Sequence, residues 1–183
     1  HYAGCRFHQA DALEYIREHG QEFDAIHASP PCQAYVDSAN KAKHPKLIEP
    51  IRALLIASGR PYIIENVDTA PLFNWVMLCG TMFQLRVIRH RRFECSWGIP
   101  MSPFTCNHWG RVSTGEFAGV YGRGGRGPRY TDSEGKKGRW ELIGPRVKTV
   151  AFFKECMGID WYMTRYELTQ AIPPAYTYFI GCQ

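Results

Sequence analysis

The sequence lacks any apolar run that approaches the roughly 20 residues needed to cross a bilayer. No charged segment followed by an apolar one opens it, so we expect neither a membrane span nor a secretion signal. It also lacks a Cys-x-x-Cys pair, which argues against the common zinc modules, and it contains no internal repeat. The seven cysteines are an odd number without regular spacing, and they predict reduced thiols in a cytosol rather than a disulfide framework.

Acidic residues are scarce in one third of the chain. Between Arg86 and Lys148 there are 13 Lys or Arg residues and 5 Asp or Glu residues, a net charge of +8, whereas the remainder carries a net charge of −3. Such a local excess is typical of a surface that binds a polyanion, with nucleic acid as the first candidate. A solvated basic surface without a ligand is the alternative.

The first 67 residues alternate between strand and helix patterns. They predict, in order, a strand at Arg6–Ala10, a helix at Ala12–His19, a strand at Phe23–Ser29, a helix from Leu47 to Gly59 and a strand at Tyr62–Val67. This order is typical of an α/β fold, in which helices cross over between parallel strands. The length of 183 residues suffices for one such domain with a small insertion.

The alternation ends after Pro71. Strand patterns rich in arginine occur at Phe83–Ile88 and Arg91–Phe93, and residues 107–145 predict a loop-rich insertion dominated by Gly, Arg and aromatic residues. Helical patterns return at Val150–Met157, at a capping box over Thr164–Glu167 and from Pro173 through Ile180.

Two motifs that can carry chemistry follow two of the predicted strands. Ala28-Ser29-Pro30-Pro31-Cys32-Gln33 follows the second strand, and Ile63-Ile64-Glu65-Asn66-Val67 ends the third. Because the carboxyl ends of parallel strands meet at one sheet edge, we expect Cys32 and Glu65 to converge there. The first would be a soft nucleophile and the second an acid for a heterocycle. Taken singly, each also fits a structural role, as a buried thiol or a salt-bridge partner.

The motifs, taken together, resemble those of the C5-cytosine DNA methyltransferase family, especially its short bacterial and phage members, over about residues 7–181. Pro31-Cys32-Gln33 resembles the nucleophile motif, and Glu65-Asn66-Val67 resembles the motif whose glutamate holds the target base. The other matching segments are Asp11 (the acidic residue that meets the cofactor adenine), Arg89-His90-Arg91 (the Arg-x-Arg motif) and Gln170–Ile180 (the last helix, which returns to the cofactor).

The resemblance implies a Rossmann-like sheet that uses S-adenosylmethionine to methylate C5 of cytosine in double-stranded DNA. Cys32 would add to C6 of a flipped base, and Glu65 would share a proton with N3. Arg89 would bind the base carbonyl, and Arg91 would brace the loop that carries Cys32. The implied cofactor contacts are Asp11, Ala12 and Pro31, and the implied DNA contacts are Gln33, Arg123, Arg126, Arg129, Lys136 and Lys137.

The resemblance also implies a division of the chain and a setting. Residues 1–94 would form the catalytic α/β part, 95–148 a small basic DNA-recognition insertion, and 149–183 helices that return to the catalytic part. The expected location is the cytoplasm of a bacterial or phage-infected cell.

The chain departs from the family at three places. The family's first strand and its Phe-x-Gly-x-Gly turn, which cradles the methionine end of the cofactor, have no counterpart in the 183 residues. A sequence that starts late, a second polypeptide that supplies the piece, and a rearranged or inactive remnant are the three explanations, and we favour the first. Val36 stands where serine is common, and Pro173-Pro174 replaces a Gly-Asn type sequence, which leaves an unusual transferred group open. A DNA-binding remnant or one half of a split enzyme is the alternative function.

A metal site is suggested by Cys95, Cys106 and His108, with Cys79 as a further candidate ligand. The Cys106-x-His108 spacing is tighter than in common zinc modules, so we predict free thiols and no metal. A zinc-stabilised nucleic-acid-binding protein without catalysis is the third hypothesis.

Overall fold

The computed structural model describes residues 5–36, 41–99, 105–110, 112, 116–120, 129–131, 137–139 and 149–183. The chain divides into two compact units. The first comprises residues 1–77 and 91–99, and the second comprises residues 78–90 and 100–183. The predicted division into catalytic, DNA-recognition and returning segments is a functional one and stays a prediction.

A four-stranded mixed sheet confirms a mixed α/β fold. Its strands are β1 (Ile26–Ala28), β2 (Tyr62–Asn66), β3 (Val76–Leu78) and β4 (Arg91–Cys95), in the order β1-β2-β4-β3. β1 pairs in parallel with β2, as the strand-helix-strand pattern predicts, whereas β4 runs antiparallel to β2.

Two helices accompany this sheet in the first unit. α1 (Ala12–His19) begins at Asp11, whose carboxylate accepts hydrogen bonds from two backbone N–H groups of the first turn. α2 (Ile48–Ala57) ends near Gly59, which has a φ of 67° that L side chains rarely adopt. Both helices confirm the sequence patterns. The core of this unit comprises Ala34, Tyr35, Ile48, Ile51, Leu55, Ile64, Val67, Ala70 and Leu72.

Two predicted strands are wrong. Residues 6–9 have no regular structure, and within the described residues no strand pairs with them. A strand pattern without a hydrogen-bonding neighbour leaves its backbone to water, so the extended segment is not stabilised as a strand. Phe83–Ile88 is also not a strand, because a 3-10 helix occupies Gly80–Phe83 and only Val87 forms an isolated bridge, with Ala118. The short strand β3 was not predicted.

The second unit contains the remaining elements. Strands β5 (Arg129–Thr131) and β6 (Lys137–Arg139) form a two-stranded antiparallel sheet within the segment predicted to be loop-rich. Helices α3 (Val150–Met157), α4 (Arg165–Gln170) and α5 (Pro174–Gly181) confirm the three helical patterns. Its core comprises Val87, Ala118, Val120, Phe153, Cys156, Met157, Ile159, Met163 and Leu168.

The described helices are short. None of them has the length and apolar character that a bilayer crossing requires.

A buried ion pair holds α2 to β4 in the first unit. Arg52 donates from Nε to Glu94 Oε1 at 2.7 Å and from an Nη to Oε2 at 2.8 Å, and the Glu94 side chain also accepts from Phe73 N–H at 2.8 Å. The hydrogen bond to Glu94 raises the pKa of Arg52. Because side chains alternate along a strand, fixing Glu94 on one face of β4 also fixes which residues point from the other face, Arg91 among them.

We predict that Arg52→Met destabilises the protein by about 3–5 kcal/mol, because it leaves the Glu94 carboxylate buried without its cation. Urea denaturation measures this loss of unfolding free energy. Arg17→Met, at an exposed position of α1, is the matched control and should change stability by about 0.5 kcal/mol or less. A loss below about 1 kcal/mol for Arg52→Met would contradict the assignment.

Candidate active site

The carboxyl ends of β1 and β2 lie side by side. Ala28 of β1 is in register with Ile64 of β2. The residue after each of them, Ser29 or Glu65, therefore reaches the same edge of the sheet. β1 ends at Ala28, shortly before Pro30-Pro31. Cys32 then begins a 3-10 helix that ends at Ala34. Parallel pairing therefore brings the Pro-Pro-Cys loop and the end of β2 together, as the motifs predict.

Asn66 connects the two segments directly. Its side-chain Nδ2 donates to Pro30 O at 2.8 Å, and its Oδ1 accepts from Val67 N–H at 3.0 Å. Asn66 is only 2% exposed, so both bonds are shielded from water. The residue next to the predicted acid thus holds the loop that carries the predicted nucleophile. The motif contained Asn66, but nothing in the sequence distinguished its role from that of its neighbours.

The loop around Cys32 is anchored on its other side by Tyr35. Tyr35 N–H donates to Cys32 O at 2.9 Å, and Tyr35 O accepts from the Thr69 hydroxyl at 2.6 Å. The Tyr35 hydroxyl accepts from Ile48 N–H at 3.1 Å, at the start of α2. Cys32 itself is half-buried. A thiol on a loop held at both ends can keep one position relative to β2 and still be reached by a ligand.

Glu65 is 7% exposed and forms an ion pair with Arg91, whose Nε lies 2.9 Å from Glu65 Oε1. Glu65 is in register with Phe93, so Arg91 is its diagonal neighbour on the same face of the antiparallel pair β2–β4. The guanidinium stabilises the charged carboxylate. We predicted that Arg91 braces the Cys32 loop. Its contact with Glu65 ties it to the predicted acid, and the predicted brace stays a prediction.

Arg89 has a different environment, in the second unit. Its two terminal nitrogens donate to Val120 O at 2.6 Å and Thr169 O at 2.9 Å, and its side chain is almost fully buried. The Tyr176 hydroxyl, on α5, donates to Arg89 O at 2.7 Å. These bonds hold separate segments of that unit together, and the predicted base contact of Arg89 stays a prediction.

A pocket of about 480 Å³ adjoins β1 in the first unit. Two of the predicted cofactor residues, Ala12 and Pro31, line it, and Asp11 directly precedes the first of them. Asp11 serves as the N-cap of α1, where Oδ1 accepts from Leu13 N–H at 2.9 Å and Glu14 N–H at 3.1 Å. A capping role does not test the predicted adenine contact. The further lining residues are Tyr15, Ile16, Gly20, Phe23, Ala25–Pro30, Leu47 and Ile51.

Five of the six predicted DNA contacts have side chains that the structure does not describe. Arg123, Arg126 and Lys136 lie outside the described residues, and for Arg129 and Lys137 the structure describes the backbone of β5 and β6 alone. Gln33 is described, next to Cys32 in the 3-10 helix. The predicted DNA-binding role of these residues stays a prediction.

The residues considered as metal ligands lie in two separate places. Cys95 ends β4, and burial raises the pKa of its thiol to about 12, so it stays uncharged and serves as a small apolar side chain. Cys79, Cys106 and His108 come together in the second unit, and His90 joins them. His90 was missed because it stands between Arg89 and Arg91, in the segment that the resemblance assigned to the Arg-x-Arg motif.

No protein-family model matches this chain, and no curated protein matches its sequence.

We predict that Asn66→Ala destabilises the protein by about 1–3 kcal/mol, because two buried backbone groups lose their partner. It should also raise the rate at which iodoacetamide alkylates Cys32, measured by peptide-resolved mass spectrometry, since the loop loses its link to β2. The exposed thiols of Cys5 and Cys182 serve as internal references.

Asn66→Asp is the matched variant for the same experiment. The aspartate keeps an acceptor for Val67 N–H but has no donor for Pro30 O. Faster alkylation of Cys32 in both variants would assign the effect to the bond with Pro30, whereas unchanged alkylation in both would show that the loop does not depend on Asn66.

Proposed function

We propose that this chain transfers a methyl group to C5 of cytosine in double-stranded DNA through a covalent bond between Cys32 and C6 of the base. The observation that carries the proposal is the shared edge of β1 and β2, where the Pro-Pro-Cys loop and the end of β2 are joined by the Asn66–Pro30 hydrogen bond. A thiol and a buried carboxyl at one sheet edge would supply the nucleophile and the acid that addition to a pyrimidine needs.

Cys32 has the central chemical role in this proposal. Cytosine C5 is too weak a nucleophile to attack a methyl sulfonium directly. When the Cys32 thiolate adds to C6, the S–C6 bond forms and the π electrons of the C5–C6 bond make C5 nucleophilic. S-adenosylmethionine, when bound, supplies the electrophilic methyl group. Loss of the C5 proton to a base then restores the double bond, and Cys32 leaves C6 as a thiolate.

Glu65 and Arg91 suit the edge of the base that carries N3 and the carbonyl oxygen. As the thiolate adds to C6, a proton held by Glu65 would pass to N3, and it would return to Glu65 when the thiolate leaves. A guanidinium has five N–H donors in a planar fork, so the contact of Arg91 with Glu65 is compatible with a further bond to the base carbonyl. We therefore propose Arg91 for the base carbonyl, the contact that the motif assigned to Arg89, and a structural role for Arg89.

The pocket beside β1 fits one part of S-adenosylmethionine. Its volume of about 480 Å³ and its apolar lining suit the adenosine portion, and Asp11 adjoins it. No Asp, Glu, Lys or Arg is among the described lining residues, so the pocket offers no charged partner for the methionine end. We propose adenosine binding here and derive no methyl-transfer geometry from these residues.

The free edge of β1 is relevant to the methionine end. Within the described residues β1 pairs with β2 alone, and β1 also lines the pocket. The resemblance implies a glycine-rich strand beside this position. We propose that such a strand, from a preceding segment or from a second polypeptide, pairs with β1 and completes the cofactor site.

A DNA-binding module without catalysis is the second candidate. The observation that favours it is the net charge of +8 between Arg86 and Lys148, which is independent of Cys32. Both candidates predict salt-dependent binding to duplex DNA, so binding alone does not separate them.

Release of tritium from cytosine tritiated at C5 separates the two candidates. Addition of Cys32 to C6 allows C5 to exchange its hydrogen before the thiolate leaves, and this exchange needs no methyl donor. We expect the chain to release tritium from duplex DNA, Cys32→Ala to abolish the release, and Glu65→Gln to lower it by about 10²–10⁴-fold. Each variant should bind DNA with the salt dependence of the unmodified chain.

Cys182→Ala is the matched control, because it removes an exposed thiol near the chain end and should leave tritium release unchanged. DNA binding without tritium release would favour the binding module. Full activity of Cys32→Ala would overturn the proposed chemistry. Trapping on DNA that contains 5-fluorocytosine, with S-adenosylmethionine present, then tests methyl transfer separately.

We predict that Asp11→Asn weakens S-adenosylmethionine binding by about 10-fold, measured by equilibrium dialysis, because a carboxylate acceptor near the pocket becomes an amide. Asparagine caps helices as well as aspartate does, so the melting temperature should not change. Equal affinity of the two proteins would show that Asp11 serves only as the cap of α1.

A further inference from the structure

Four side chains of the second unit converge on one point. They are Cys79, just before the 3-10 helix Gly80–Phe83, His90, and the pair Cys106 and His108. One ligand atom from each, a sulfur or an imidazole nitrogen, lies within 4.8 Å of every other. Three separate segments of the chain contribute, so the convergence is a product of the fold and not of local sequence.

The separations between these atoms are close to those of a tetrahedral metal site. His108 Nε2 lies 3.4 Å from Cys79 Sγ and 2.7 Å from Cys106 Sγ, and His90 Nε2 lies 3.3 Å from Cys106 Sγ. Metal bonds of about 2.0–2.3 Å at tetrahedral angles separate their ligand atoms by about 3.3–3.8 Å. Two of the three distances fall in this range, and the third is shorter.

Thr81 provides a second layer around the two sulfurs. Its hydroxyl donates to Cys79 Sγ at 3.5 Å and lies 3.6 Å from Cys106 Sγ, and it accepts from Asn107 N–H at 3.2 Å. Hydrogen bonds from an outer group to the ligands are a usual feature of metal sites, because they orient the ligands and stabilise thiolate charge. The four side chains therefore form a ligand set, and Thr81 hydrogen-bonds to two of the ligands from outside it.

The backbone around Gly80 explains why Cys79 reaches the others. A Cβ at Gly80 would collide with the carbonyl oxygen of Val87. Glycine permits this close approach, and Leu85 N–H donates to Gly80 O at 3.0 Å. The chain thus turns back tightly between Cys79 and His90.

We propose that Cys79, His90, Cys106 and His108 bind one Zn²⁺ in a closed tetrahedral site. Two thiolates with two imidazoles are the ligand set that favours zinc among the common divalent ions. Four protein ligands leave no open position, so the ion is structural. Binding releases the two thiol protons and leaves both imidazoles neutral. The proposal replaces the expectation of free thiols and does not depend on the proposed methyltransferase activity.

Metal analysis of the full chain, purified without chelator, is the test. We expect inductively coupled plasma mass spectrometry to find one zinc ion per chain. Removal of zinc should lower the melting temperature, and Zn²⁺ alone should restore it where Mg²⁺ does not. Cys106→Ser and His108→Asn should each weaken zinc binding by at least about 10-fold, since even outer-layer changes cost that much. Cys182→Ser and His44→Asn, at exposed positions, should bind as the unmodified chain does.

Cobalt substitution provides a measurement that does not rely on the folding of variants. Co²⁺ in the unmodified chain should give intense tetrahedral d–d absorption and thiolate-to-cobalt charge-transfer bands. A chain that holds no zinc and takes up neither ion would overturn the proposal. So would a cobalt spectrum without thiolate bands, or an intact mass lighter by two hydrogen atoms because Cys79 and Cys106 have been oxidised to a disulfide.

Discussion

The candidate active site depends on the hydrogen bond from Asn66 to Pro30. β1 is only three residues long, and beyond it two prolines prevent any continuation of the ladder. The Asn66 side chain replaces that ladder with one buried bond of 2.8 Å. A bond away from water, between groups that would otherwise be unsatisfied, is costly to break. It therefore determines where the loop after β1 lies relative to the acid that ends β2.

The two faces of the β2–β4 pair serve different purposes. On one face the Glu94 carboxylate is fully engaged by Arg52 and a backbone N–H, and this pair secures α2. On the other face the Glu65–Arg91 pair lies at the sheet edge that the Cys32 loop also reaches. Burying two ion pairs in one small sheet lowers the stability of the fold unless each charge lies against its partner. The first pair stabilises the fold, and the second holds polar groups where we propose that a base binds.

The convergence of residues at the proposed active site could be predicted from the sequence, whereas the convergence at the proposed zinc site could not. Pro-Pro-Cys and Glu-Asn-Val each follow a strand pattern, so their convergence could be argued from parallel pairing alone. Cys79, His90 and the Cys106-x-His108 pair carry no recognised spacing, because a site assembled from three segments needs no fixed interval between them. The convergence is evident only in the tertiary structure, where the close approach of Gly80 to Val87 turns the chain back between Cys79 and His90.

The sequence by itself determined local features of this protein: the helices, the capping box at Thr164, the parallel pairing of β1 with β2, and the sheet edge that the Cys32 loop and Glu65 both reach. These follow from hydrogen bonding and periodicity over a few residues. The tertiary structure decided the rest. A strand pattern at residues 6–9 formed no strand because pairing needs a neighbour. Arg91 contacts Glu65 because the register of β4 against β2 is set by partners distant in the chain.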